Sequence, residues 1–143
     1  MVNENIDLDN IKKALSSEED VVAAYLTGSQ ARGDACEGSD VDIALLLKNK
    51  EVLKEERLET HLRFYALLSP FTESLQKKQG LDLVFLQELP IYHQFHVLYD
   101  GKLIFTRDPK QALDYEEYIA RRYSDIKPQM DIIGGDYLRA VSA

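Results

Sequence analysis

Two kinds of apolar pattern alternate along the chain. Between Asp7 and Ser17, Ile11, Ala14 and Leu15 fall at helical spacing behind Asp7 or Asp9 as a cap, which predicts a short helix. Val21–Leu26 is then a continuous apolar run closed by Thr27-Gly28-Ser29, and Val41–Leu47 is a second, closed by Lys48-Asn49-Lys50. Runs of this length, bounded by turn residues, predict buried strands. Glu51–Leu68 predicts one long amphipathic helix, with Leu53, Leu58, Leu62 and the 64–68 cluster on its apolar side and Pro70 as its interruption. Gly80 ends a further short helix, Leu81–Leu86 predicts a third strand, and Pro90 opens a helix through about Tyr99. Lys102–Thr106 predicts a fourth strand.

Asp108-Pro109 pairs a capping residue with a proline suited to a first helical turn, so a helix is expected from there to about Ile126, stopping before Pro128. The last fifteen residues predict one more helix, weakened by Gly134-Gly135. The expected fold is α+β: a small mixed sheet with helices packed against it, plus a helical C-terminal tail. Residues 1–108 are expected to form the domain, with 109–143 as a helical tail of that same domain. A chain of 143 residues is long enough to bury one proper core.

Composition narrows the function classes. Acidic residues outnumber basic ones 25 to 17, a net charge of −8, which argues against direct nucleic-acid binding. No apolar stretch approaches the ~20 residues of a membrane helix, and Met1–Asn5 lacks the blocks of a signal peptide. Cys36 is the single cysteine, so neither a disulfide framework nor a cysteine zinc site is expected. The expected compartment is the cytoplasm.

The chemistry concentrates in Thr27–Asp42. Side chains alternate along a strand, so Asp40 and Asp42 are expected on one face, at the start of an otherwise apolar run. Two such carboxylates side by side, each disfavouring the other's charge, are accommodated by a divalent cation, and hard oxygen donors suit Mg²⁺. Asp82 is the one charged residue in the third apolar run and can reach the same site from a neighbouring strand. Three carboxylates can hold two metal ions, and Asp82 is also placed to accept a hydroxyl proton. Gly28 permits close backbone approach, and with the Ser29 hydroxyl and a following helix N-terminus it makes a cradle for phosphates. Arg32 either neutralises phosphate or pairs on the surface with Asp34 or Glu37. Asp-x-Asp and Gly-Ser are each common alone, but together at this spacing they arise by chance in on the order of one chain in several hundred.

Other features carry less. His93 and His96 stand three apart on an expected helix without further ligands, so amphipathic packing is the better account. Cys36 has no local histidine to activate it. Tyr115, Tyr118, Tyr123 and Tyr137 lie beyond Pro109 and suit either core packing or an interface.

Gly28-Ser29, ten residues, Asp40-Val41-Asp42 and then Asp82 on a later strand resemble the DNA polymerase beta-type nucleotidyltransferase superfamily. Gly28–Gly33 and Ser39–Ile43 are most similar to its minimal branch, the MNT proteins, often antitoxins of HEPN–MNT toxin–antitoxin pairs. The resemblance covers about residues 10–106. It implies that Gly28 and Ser29 contact the ATP triphosphate, that Asp40 and Asp42 bind both Mg²⁺ ions, and that Asp82 is the third carboxylate. It further implies AMP transfer to a hydroxyl, with a tyrosine of a partner HEPN ribonuclease toxin as the acceptor. Arg57 and His61 stand closer together than the Arg–His pair of the toxin half, so the ribonuclease is expected to be a separate chain. Two alternatives remain: a transferase for a small acceptor such as an aminoglycoside, and a non-catalytic antitoxin that masks the toxin by binding.

Overall fold

A computed structural model of the chain describes residues 6–28, 31, 41–72 and 80–142, with side chains described as far as residue 132. Helix α1 spans Leu8–Ser16, and Asp7 caps it by accepting from the Asn10 amide at 3.2 Å. Strands β1 (Val21–Thr27) and β2 (Val41–Leu47) follow, then helices α2 (Val52–Glu55) and α3 (Arg57–Leu68) and a 3₁₀ turn over Ser69–Phe71. Strand β3 (Leu81–Phe85), a second 3₁₀ turn, helix α4 (Ile91–Asp100), strand β4 (Lys102–Thr106) and helix α5 (Pro109–Ser142) complete the described chain.

The strands form one mixed sheet in the order β3-β2-β1-β4. β1 runs antiparallel to both β2 and β4, and β2 runs parallel to β3. The central strands β1 and β2 are covered on both faces, which is why they read as nearly unbroken apolar runs. One face carries Val41, Ile43, Leu45 and Leu83 against Ile11, Leu15, Phe64 and Leu68 of α1 and α3. The other carries Tyr25, Ala44 and Leu46 against Val97, Leu98, Ala112 and Ile119 of α4 and α5. Val22 and Ala23, although consecutive, both serve this second face, because the β1–β2 register shifts there and rephases the alternation.

Two devices fasten the sheet. Arg107, just past β4, donates from Nη2 to the carbonyls of Leu15, Ser16 and Glu18 at 3.2, 2.7 and 3.0 Å. It thereby ties β4 to the last carbonyls of α1, at Leu15 and Ser16, and to the loop carbonyl of Glu18. His61 on α3 stands with Nε2 3.1 Å from the Leu83 carbonyl and covers the edge of β3.

Three sequence expectations give way. The long helix over 51–68 is two helices broken at Glu56, whose φ/ψ of −129/36 are not helical. Leu58 and Leu62, expected inside, are 67% and 56% exposed, whereas Phe64 and Leu68 are fully buried. At ~100° per residue the centres of the two pairs lie about 120° apart around α3, too far for one narrow stripe to bury both. The tail is one continuous 34-residue helix that passes through Pro128 instead of stopping before it, and it absorbs Gly134-Gly135. Proline there removes one amide bond, and its neighbours Lys127 and Gln129 are exposed. The short helix expected before Gly80 falls in 73–79, outside the described residues.

The first half of α5 is integral to the packing. Tyr25 donates to Glu116 at 3.0 Å, Tyr115 donates to the buried Gln94, and Tyr123 stacks on Phe95 with centroids 4.0 Å apart. Burial raises the Tyr115 phenol to about 12 from the ordinary 10, with Tyr118 adding to the shift, and burial together with Glu116 raises Tyr25 further still.

Two predictions follow from this packing. Phe64→Ala should cost about 3–5 kcal/mol in denaturant unfolding, whereas Leu62→Ala should stay within about 0.5 kcal/mol. Because the folded-state phenol pKa is raised, its contribution to stability is complete below pH ~10 and declines as pH rises toward the folded value. Melting curves between pH 9 and 12 should therefore fall less steeply for Tyr115→Phe than for the wild type.

Candidate active site

The parallel register of β2 and β3 sets Asp42 directly opposite Asp82, and the antiparallel register of β1 and β2 sets Thr27 opposite Asp42. Partners across a ladder share a face, so Thr27, Asp42 and Asp82 form one row across three adjacent strands. Each aspartate alternates with residues of the α1/α3 core, which puts both carboxylates on the α4/α5 face. Asp82 is exposed and Asp42 half-buried, at the strand ends where the covering helices stop short.

Gly28 follows β1 with φ +70°, the left-handed region that favours glycine. The space beside it makes a second demand. A Cβ at this position would collide with Asp42 Oδ2 and lie 3.2 Å from its Cγ. The backbone at the end of β1 is thus pressed against the carboxylate on β2.

A cleft of about 490 Å³ opens over the row, lined by Thr27, Gly28, Asp42, Asp82, Val84 and Leu89 on one side. Its other wall comes from α4: His93, His96, Val97 and Asp100. These residues lie on one stripe of the helix, while Gln94 and Leu98 turn inward. His93 and His96 pack against Tyr92, in keeping with the amphipathic packing expected of them, and both also line the cleft. His93, His96 and Asp100 recur at i, i+3 and i+7, a stripe whose place opposite the carboxylates only the packing of α4 reveals.

A larger cleft of about 570 Å³ lies at the far end of the same sheet face, lined in part by Leu46, Lys48, Lys50, Gln111, Tyr115 and Tyr118. Its two acids, Glu51 and Asp114, come from separate elements, and Glu51 is 3.7 Å from Lys54. The in-register aspartates, not the volume, single out the smaller cleft.

Asp42 and Asp82 supply hard oxygen donors on adjacent strands beside a close-approach glycine, a donor set that fits Mg²⁺ with part of its shell left to phosphate oxygens. Among the described residues no group of three or more His, Cys, Asp or Glu converges as a complete metal site. Asp40, Ser29 and Arg32, as well as Cys36, lie outside the described residues.

A family profile described as "Polymerase beta, Nucleotidyltransferase" matches residues 9–110. No curated protein matches the chain. Among solved structures, a chain of a toxin–antitoxin crystal structure with AMP-PNP superposes with TM-score 0.70 at 20% identity, over 93% of this chain and 99% of that one. A chain of the toxin–antitoxin MntA–HepT superposes with TM-score 0.64 at 20% identity, over 92% and 96%. A chain of the tri-AMPylated Shewanella oneidensis HEPN toxin in complex with MNT antitoxin does so with TM-score 0.62 at 19% identity, over 92% and 95%. At these identities the likeness is one of fold.

The close approach at Gly28 is testable without any substrate. Gly28→Ala should cost about 1–2 kcal/mol for the left-handed backbone and more for the displaced carboxylate. Asp42→Ala in the same chain should recover that second part, so thermal melts of the single and double variants should be non-additive. Strict additivity would mean that the collision with Asp42 is not what requires glycine.

Proposed function

Because the chain belongs to the polymerase beta nucleotidyltransferase family, matched over residues 9–110, we propose that it transfers AMP from ATP to a hydroxyl group. The single observation that carries this reading is the pairing of Asp42 with Asp82 beside the positive-φ Gly28 in one cleft. On this reading residues 1–108 are the minimal transferase domain and 109–143 a helical tail of the same domain. Asp40, Asp42 and Asp82 are the catalytic carboxylates and metal ligands, and Gly28, Ser29 and Arg32 bind the nucleotide.

Two Mg²⁺ ions held by these carboxylates would supply charge neutralisation on the phosphates and activation of the attacking hydroxyl. The chain's own contributions are positional. The Gly28 backbone lets a triphosphate approach the carboxylate row without a side chain between them. The parallel β2–β3 register keeps Asp42 and Asp82 a strand spacing apart, so both can address one bound phosphate group. The wall of α4 narrows the opening on the side away from the sheet and limits the water around the reacting groups.

The acceptor we propose is a tyrosine hydroxyl on a HEPN ribonuclease toxin, which this chain neutralises as its antitoxin in the cytoplasm. Support comes from three solved structures that share this fold and are toxin–antitoxin complexes, one of them with a tri-AMPylated HEPN toxin. A net charge of −8 suits docking to a ribonuclease, whose RNA-binding surface is expected to be basic, and is ill suited to binding RNA directly. No helix among the described residues is long and apolar enough to cross a membrane.

The deciding experiment incubates the protein with α-labelled ATP, Mg²⁺ and a HEPN ribonuclease. Label should appear on the ribonuclease with the wild type, and should fall to background with Asp42→Asn or with EDTA while the melting temperature holds. Near-normal labelling by Asp42→Asn would overturn the metal reading. Equal neutralisation by both proteins without label would identify a masking antitoxin, and label on an aminoglycoside alone would identify a small-molecule transferase.

A further inference from the structure

His96, with its side chain 41% exposed, pairs along its own helix with an exposed carboxylate. Its Nδ1 stands 2.8 Å from Asp100 Oδ2, one helical turn on. Its ring is hemmed by Tyr92, with centroids 4.5 Å apart, and by Phe95 and Tyr123 at 5.6 and 6.1 Å. A carboxylate on Nδ1 draws the proton of a neutral imidazole to that nitrogen and leaves Nε2 as an acceptor. Among the described residues nothing hydrogen-bonds to Nε2, and His96 lines the same cleft as Asp42 and Asp82.

The end of α4 is pinned in place by a second glycine. A Cβ on Gly101 would meet the Val97 carbonyl and lie 2.8 Å from the Leu26 carbonyl, so the helix terminus sits flush on β1. That seat holds the backbone of Asp100, and with it the turn that carries His96, beside the strand end of Thr27 and Gly28. A base oriented by a third group, facing electrophile-binding residues across a cleft, is the arrangement that proton abstraction from a hydroxyl requires.

We infer that His96, oriented by Asp100, accepts the proton of the attacking hydroxyl, a role that rests on the transfer reaction proposed above. The acceptor oxygen forms a bond to the α-phosphorus of ATP, and the bond from that phosphorus to the oxygen bridging to the β-phosphate breaks. Pyrophosphate leaves with the electron pair. The hydroxyl proton passes to Nε2, and the resulting imidazolium is stabilised by the Asp100 carboxylate. Asp82 is then free to act as a metal ligand, since a carboxylate neutralised by a cation is a poor base.

Two measurements on the full chain test this. Long-range ¹H–¹⁵N spectra of the free protein should show neutral His96 protonated on Nδ1, with the proton moving to Nε2 in Asp100→Asn. His96→Ala should lower kcat for transfer to the HEPN acceptor by about 100-fold or more, with the Kd for AMP-PNP unchanged. Asp100→Asn should lower kcat by a smaller factor, and the double variant should be no slower than His96→Ala alone. An Nε2–H tautomer in the wild type, or an unchanged kcat in His96→Ala beside an active wild type, overturns the role of His96 and leaves the transfer reading standing. A wild type that labels no acceptor overturns the transfer reading itself, and this role with it.

Discussion

The parallel ladder between β2 and β3 is the constraint on which the rest of the molecule depends. It pairs Val41 with Leu81, Asp42 with Asp82 and Ile43 with Leu83. Strand side chains have a period of two, so a slip of one residue would drive Asp82 into the α1/α3 core and expose Leu81 and Leu83. Burying an unpaired carboxylate costs several kcal/mol, and exposing two leucines adds about 1.5–3 kcal/mol each. Core formation and assembly of the carboxylate pair are therefore one event, because the residues that alternate with the aspartates select the register that brings the aspartates together.

Placing two like charges side by side has its own cost, and the fold lowers it by geography. Asp42 and Asp82 sit at strand ends, one half-buried and one exposed, so water screens them in a way that the middle of the sheet would not allow. Among the described residues Gly28 alone has a positive φ, a conformation that glycine adopts without steric cost. A left-handed glycine at the strand end, with a well-packed sheet behind it, leaves the main chain open to close approach.

The second wall of the cleft depends on elements distant in sequence. α4 is seated on β1 through Gly101 and on α5 through the Phe95–Tyr123 stack. Gln94 joins the two helices by accepting from Tyr115 while donating to the Leu89 carbonyl at 2.7 Å. Tyr115 and Tyr123 thus act as packing residues of the domain, and α5 supports the wall that carries His96 as far as Tyr123. The exposed Leu58, Leu62 and Tyr65 on the outer side of α3 take no part in either core.

Local patterning was enough to place the strands Val21–Thr27, Val41–Leu47 and Lys102–Thr106 within a residue and the cap at Asp108, and to narrow the first cap to Asp7 or Asp9, because burial on both faces and capping chemistry are properties of a short window. The spacing of Gly28, Asp42 and Asp82 was equally legible, since a charged residue recurring inside apolar runs has few bland explanations. It could not be read from the sequence which of two apolar stripes on α3 faces inward, because Leu58–Leu62 and Phe64–Leu68 differ only in what stands opposite them. Nor could it be read that Pro128 lies within a continuous helix, or that His93, His96 and Asp100 face the aspartates. Those outcomes depend on the sheet order β3-β2-β1-β4 and on where α4 comes to rest. Residue types and their periodicity determined most of the elements and pointed to the carboxylates; contacts between residues far apart in the chain, such as Gly101 with Leu26 and Phe95 with Tyr123, decided which side chains share the cleft with them.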